Sequence, residues 1–341
     1  MTAGLPEKAP GEGVDLDELG RGQWSRRLHR LKLTPSFLAG FTILGFYAVV
    51  AAFSNVWFPG GVDQLTPHYY SGIACPVPPG PSLSLLPFSI GPHPLGVTGG
   101  MGFGVLEGLV KGTPWDLLLL SLVIFPSVLV GTLVGSWAGY RGGWADDVLM
   151  ALSDVFLAIP EFVLTLVVLL FILPLVPAEW SLVVFGLLLN LVLWAPFARL
   201  VRARARGVAR LPFVESARAA GASGGRILRR HILPNSVFPV LAQVPTTLAT
   251  VLILLGGLEF AKLQSLALSC HGPAAPLFLP SPTFPEWTWV MANGAWAWLP
   301  SANLDPWWGY TFPALWILLF GIGVTLACDG LARLLRNPTV A

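Results

Sequence analysis

The sequence predicts an all-α integral membrane protein with six transmembrane helices. Three observations predict it. Only 11% of the 341 residues are charged, whereas a soluble domain carries about 25%. Hydrophobic residues make up 54%, 37 glycines raise the apolar share further, and the mean hydropathy is +0.70. The apolar residues also fall in continuous runs of about 20, the length a helix needs to cross a bilayer. They do not alternate, which excludes barrel strands as spans. Charge this sparse excludes an ordinary soluble enzyme, a disordered chain and a nucleic-acid binder. Three cysteines are too few for a disulfide scaffold.

Residues 1–35 form a charged, polar tail, flexible at its start. Residues 36–57 hold the first span, with an uncharged run from Phe37 to Trp57. A signal peptide with Val50 and Ala52 at its cleavage site is the competing reading, but the polar leader is too long for an ordinary n-region. Residues 58–114 form a long external loop. Nine prolines from Pro59 to Pro94 prevent any long helix there, and residues 102–112 suit a short surface helix. The remaining spans run from Leu117 to Tyr140, Val148 to Leu173, Trp180 to Ala198, Ser236 to Leu258 and Thr311 to Cys328. Between the last two, residues 259–310 form a second external segment with Trp287, Trp289, Trp296, Trp298, Trp307 and Trp308. These tryptophans suit an interfacial aromatic belt or a docking face for an external partner.

Six spans put both termini on one side, and the basic residues say which. Of 20 Lys and Arg, 17 fall in one set of segments: Arg21 to Lys32, Arg141, the loop from Arg199 to Arg230, Arg333 and Arg336. The opposite set holds only Lys111 and Lys262. Both termini, including the tail 336–341, are therefore expected in the cytoplasm.

Within the spans, Gly131, Gly135 and Gly139 recur every four residues. This places them near one helix face, where small residues let helices approach closely. Pro160, Pro196, Pro239 and Pro245 are expected to break or kink their helices, which a membrane protein tolerates where neighbours satisfy the freed backbone. Asp154 and Glu161 are seven residues apart and are expected to share one face of span three. A charge at mid-bilayer costs about 2.5–3.5 kcal/mol on insertion scales, so both are candidates for contact with a substrate's ammonium group. Asp154 has a competing structural reading as a partner of the loop arginines. Glu259, at the outer end of span five, is a third candidate for the pathway.

Cys75 lies in the first external loop and Cys270 in the second, where an oxidising exterior permits a disulfide. Two unpaired thiols is the alternative. Cys270-His271 has no second ligand pair nearby for a metal. No metal site and no catalytic residue are expected.

The most informative segment is residues 199–235, RLVRARARGVARLPFVESARAAGASGGRILRRHILPN. It is too long and too patterned for a simple turn. Pro212 suits the first turn of a helix. Phe213, Val214, Ala217 and Ala220 give that helix an apolar side, and Glu215 complements its dipole. Gly221 ends it or lets it turn sharply. A second short helix then begins near Arg226, and Pro234 precedes span five. The expected object is a small rigid knob on the cytoplasmic face, tied to two spans.

Glu215-Ser216-Ala217, three residues, Gly221, nine residues, then His231-Ile232-Leu233-Pro234 resembles the EAA loop of ABC-importer permeases. Glu, Gly, Leu and Pro stand in register, while Ser216 replaces the first Ala and His231 replaces the Ile. Further stretches resemble the dipeptide/oligopeptide (peptide/nickel) branch. They are His93-Pro94-Leu95-Gly96, the run from Ala138 to Asp147, the Asp154 to Pro160 run, the flanks of the loop, and Cys328-Asp329-Gly330-Leu331. Two external stretches depart from the branch: the one after Gly96, which lacks its usual polar positions, and the Trp-rich one after Leu258.

The resemblance implies a type I ABC importer permease core over residues 115–335, with two long external loops and a cytoplasmic coupling loop at 199–235. Glu215, Ser216, Ala217, Ala220 and Gly221 would carry docking and the turn, with Ile232, Leu233 and Pro234 fixing the return into span five. It also implies partners: a second homologous permease, two cytoplasmic ATPase subunits, an external substrate-binding protein and membrane lipids, in a bacterial or archaeal cytoplasmic (inner) membrane. The chain has no Gly-x-x-x-x-Gly-Lys-Ser/Thr loop, so no cofactor is expected in it, and ATP and Mg would sit on the partner subunits. The implied cargo is di- or oligopeptides, or alternatively a nickel complex or another small solute. A self-sufficient channel or secondary transporter would show internal repeats and polar spans, and the sequence shows neither. A membrane enzyme would need a histidine cluster within the spans, whereas all five histidines lie in tails or loops.

Overall fold

The computed structural model of the protein describes residues 35–59, 93–96, 104–172, 175–271, 286–295 and 307–335. The elements in chain order are α1 (Pro35–Trp57), α2 (Val105–Arg141), α3 (Gly143–Leu157), α4 (Glu161–Val167), α5 (Ala178–Val208), α6 (Pro212–Ala219), α7 (Gly224–Ile227), α8 (Leu233–Ser236), α9 (Val240–His271), α10 (Trp287–Ala295) and α11 (Trp308–Leu335). One π-helical turn, Val168–Ile172, continues α4, and another, Leu228–Ile232, joins α7 to α8.

Among the described residues five helices, α1, α2, α5, α9 and α11, are long and apolar enough to cross a membrane. Counted as one span, α3 with α4, a pair bent by 70°, makes six. Many large apolar side chains on these helices are exposed, among them Phe125, Val155, Ile253 and Leu318. Such a surface suits lipid and not water.

Three boundaries differ from the sequence reading. Span two begins at Val105, so the expected short surface helix and the end of the loop 58–114 are its first turns. Pro114 and Pro126 both lie inside α2 without ending it. Span three is broken at Ala158–Pro160: Pro160 has no N–H to give and disfavours helical geometry at Ile159. Span five runs on to His271 as helix, past the expected start of the external segment at 259.

Two glycine seams hold the bundle. A Cβ on Gly131, Gly135 or Gly139 would lie 2.3–2.7 Å from atoms of α5, chiefly backbone of Trp194, Ala198 and Arg202. The four-residue spacing therefore packs α2 directly on the α5 backbone, where van der Waals contact drives association in lipid. On the other side, Gly40 of α1 meets the backbone at Ala327, and Gly323 and Gly330 of α11 meet Ile43 and Phe37.

Pro126 leaves the Leu122 carbonyl without its usual helical donor. The Asn190 side chain of α5 donates to that oxygen at 3.0 Å and to the Gly186 carbonyl at 2.7 Å, and the Ser127 hydroxyl donates to the Asn190 side-chain oxygen. A polar group from one span thus repairs the backbone of another.

The centre of the opposite half is aromatic. Tyr47, Trp287 and Phe320 form a triangle of rings with centroids 5.0–5.5 Å apart. Trp287 is fully buried, and its indole N–H donates to the Leu109 carbonyl and the Thr113 hydroxyl, both at 3.2 Å. Buried Asp116 of α2 accepts the Trp287 backbone N–H at 2.8 Å, so a side-chain oxygen from another helix satisfies a free donor at the start of α10. For Trp287 and Trp308 this corrects the reading as a belt or docking face. Trp287 and Trp308 are core residues, Trp289 is half-buried and Trp307 is exposed. Trp296 and Trp298 lie outside the described residues, as do Cys75 and the side chain of Cys270. Cys328 is a free thiol within α11.

Candidate functional site

The segment 199–236 folds as a knob on the ends of two spans. Pro212 occupies the first turn of α6, as its sequence position predicts. Gly221 has φ +77°. The Ala222 N–H donates to the Ala217 carbonyl at 3.1 Å and the Gly221 N–H to the Arg218 carbonyl at 3.0 Å. This is the paired bond pattern of a Schellman cap. A side chain at Gly221 would be strained by about 1–2 kcal/mol in that left-handed geometry. Gly221→Val is therefore expected to release the cap, and faster amide exchange at Ala222 would show it.

The knob has its own small core. Val214, Ile227 and Ile232 are buried together with Ala205 and Val208 of α5, and Tyr140 at the end of α2 packs against them. Tyr140 also lies under Gly224, with the hydroxyl 3.4 Å from where a Cβ would stand. Ile232 is thus an internal anchor and not a surface contact. Glu215, Ser216, Ala220, Gly221 and Pro234 are exposed, while Ala217 and Leu233 are half-buried. His231, which departs from the family pattern, packs beside Phe213 with ring centroids 6.0 Å apart. The Ser216 hydroxyl donates back to the Pro212 carbonyl at 2.9 Å. Asn235 and Ser236 donate to the His231 and Ile232 carbonyls, both at 2.7 Å, around the proline. Arg204, Arg206, Arg210, Arg218, Arg226, Arg229 and Arg230 are exposed on the same module.

The candidate pathway acids do not assemble. Asp154 and Glu161 do not share a helix face, because the break at Pro160 lies between them. Asp154 forms an ion pair with Arg199 of α5, both side chains about half exposed. This is the structural alternative recognised in the sequence. Glu161 opens α4 half-buried, and Glu259 is buried within α9. A groove of about 810 Å³ lies between α9, α10 and α11, lined by residues such as Leu252, Ile253, Gly256, Ile317 and Gly321. Thr288 and Thr325 are its polar lining, and none of the three acids belongs to it.

One charged centre was not singled out from sequence. Asp146, in the first turn of α3, is completely buried. Arg202 chelates it through Nε and through Nη2, the latter at 2.7 Å, and Arg206 donates to it as well. The signal available in sequence was the spacing of Arg199, Arg202 and Arg206, which puts three cations along one side of α5. Among the described residues no cluster of three or more His, Cys, Asp or Glu is arranged to hold a metal.

Comparison with known proteins agrees with this geometry. Residues 131–269, from the glycine seam through the knob to the end of α9, match the family described as "binding-protein-dependent transport system inner membrane component". The chain is 29% identical over 237 residues to the probable D,D-dipeptide transport system permease protein DdpC of Escherichia coli (strain K12), covering 69% of this chain and 70% of that one. It is 25% identical over 308 residues to the dipeptide transport system permease protein DppC of Alkalihalophilus pseudofirmus, covering 90% and 88%. It is 29% identical over 239 residues to the glutathione transport system permease protein GsiD of Pectobacterium atrosepticum, covering 70% of each. With its bundle of membrane helices and its knob held between two of them, the chain is similar to the binding-protein-dependent transport permeases over the knob and the spans around it.

Proposed function

We propose that this chain is one of two permease subunits of an ATP-driven importer of di- or oligopeptides, and that it forms half of the translocation path. The observation that carries the reading is the knob. It is a rigid module with its own core, continuous with α2 and α5, and it presents Glu215 and the Gly221 turn outward. A partner pushing on it moves two spans as a body, which is the mechanical requirement of alternating access. The relatives named above carry dipeptide and glutathione names, which supports a peptide cargo.

In this reading both termini are cytoplasmic, the subunit has no catalysis of its own, and ATP and Mg bind two ATPase subunits docked on the knob. A binding protein delivers cargo from outside. Glu161 and Glu259 are the acids offered to a peptide's ammonium, whereas Asp154 ties α3 to α5. The test is co-purification of the tagged chain from native membranes, followed by peptide uptake in proteoliposomes. A second permease and ATPase subunits in stoichiometric amounts, with ATP-dependent uptake, are expected. Recovery of the chain alone with unaided solute flux would overturn the reading. Glu215→Lys, on an exposed helix turn, is expected to leave the fold intact. Charge reversal at the dock should cut uptake roughly tenfold or more.

A further inference from the structure

The geometry points to Asp146 as a positioning residue that makes the first half of the broken span travel with the knob, the chain flexing at Ala158–Pro160. This rests on the permease reading above. The cytoplasmic end of α5, in that orientation, serves three neighbours at once. Its Ala205 and Val208 lie in the knob core. The backbone at Ala198 and Arg202 abuts the glycines of α2. Arg202 and Arg206 hold Asp146, and Arg199 holds Asp154. The helix α3 is therefore strapped to α5 near both of its ends.

Beyond the strap the chain changes company. After Leu157 it bends by 70°. In α4, Phe162 packs against Gly257 of α9, 3.0 Å from where a Cβ would stand. The two halves of the span thus differ in their neighbours: α3 packs on α5 and α2, whereas α4 adds α9 to its contact with α5. Asp146 is suited to the strap because it is completely buried and bonded to two guanidinium groups. Removing either guanidinium leaves a buried carboxylate with less compensation, so the strap favours the paired arrangement. A force delivered to α6 reaches α3 through α5, and the break before α4 is where the chain flexes.

The experiment uses the full importer, with its ATPase subunits, partner permease and binding protein, in proteoliposomes. Uptake and ATP hydrolysis are measured together for wild type, Asp146→Asn, Asp146→Glu and Arg206→Gln. Asp146→Asn is expected to assemble normally and hydrolyse ATP but to import about tenfold less peptide per ATP, within the range by which coupling networks respond to mutation. Asp146→Glu is expected to recover part of that ratio. Arg206→Gln, which leaves Arg202 in place, guards against misfolding of the first variant and is expected to lower the ratio in the same direction. An unchanged ratio in all variants would overturn the inference, as would uptake and hydrolysis falling together in proportion to lost complex. A wild-type complex that neither recruits ATPase subunits nor imports would instead overturn the permease reading, and this inference with it.

Discussion

Alanine at Gly135 is expected to separate α2 from α5 and destabilise the bundle by about 1–3 kcal/mol or more, the usual cost of forcing extra atoms into a packed core. The added Cβ would lie 2.3 Å from the Ala198 carbonyl oxygen and 3.0 Å from both the Ala198 carbonyl carbon and the Arg202 backbone nitrogen, so no side-chain rotation relieves it. All three contacts are to main chain, and one whole helix must move. The same shift would drag Arg202 from Asp146, because Arg202 borders the seam. Thermal unfolding of the detergent-purified protein measures the effect. Gly207→Ala is the control: it lies in the same α5 helix with nothing near its Cβ position. There the change is expected to be neutral or to stabilise by about 0.5–1 kcal/mol through helix propensity. Equal behaviour of the two variants would contradict the seam.

Trp287→Ala is expected to be the most damaging truncation outside the seam, at about 3–5 kcal/mol for a buried aromatic. The loss includes two ring contacts, to Tyr47 and Phe320, and the indole bonds to α2. It would undock α10 from the bundle. Trp307→Ala, at a side chain 45% exposed, is expected to change stability little. The pair separates a core role from a surface role for the tryptophans, and comparable losses in both would show that Trp287 is not the anchor described.

These two residues also show what was legible in the sequence. The glycines at positions 131, 135 and 139 declare their role by spacing alone, because helical periodicity places them on one face whatever they meet. The knob was legible for the same reason: Pro212, Glu215 and Gly221 act within a few residues of themselves. Trp287 was not legible, because a tryptophan in a polar-flanked segment looks the same whether it meets lipid or the interior. Its partners Asp116, Leu109 and Thr113 are more than 170 residues away in the chain. Asp146 was missed likewise. An acid in the first turn of a helix has a complete local explanation, and nothing nearby announces two arginines 56 and 60 residues later. The expected common face of Asp154 and Glu161 failed on one residue, since Pro160 sits between them and resets the helix direction.

The bond from Asn190 to the Leu122 carbonyl sets an order of events during synthesis. The chain emerges from its N-terminus, so α2 enters the bilayer before α5 exists. Until α5 arrives, Pro126 leaves the Leu122 carbonyl facing hydrocarbon without its helical donor, and an unsatisfied backbone group there costs several kcal/mol. The three glycines of α2 are uncovered over the same interval. The second span is thus an incomplete object that the fourth finishes.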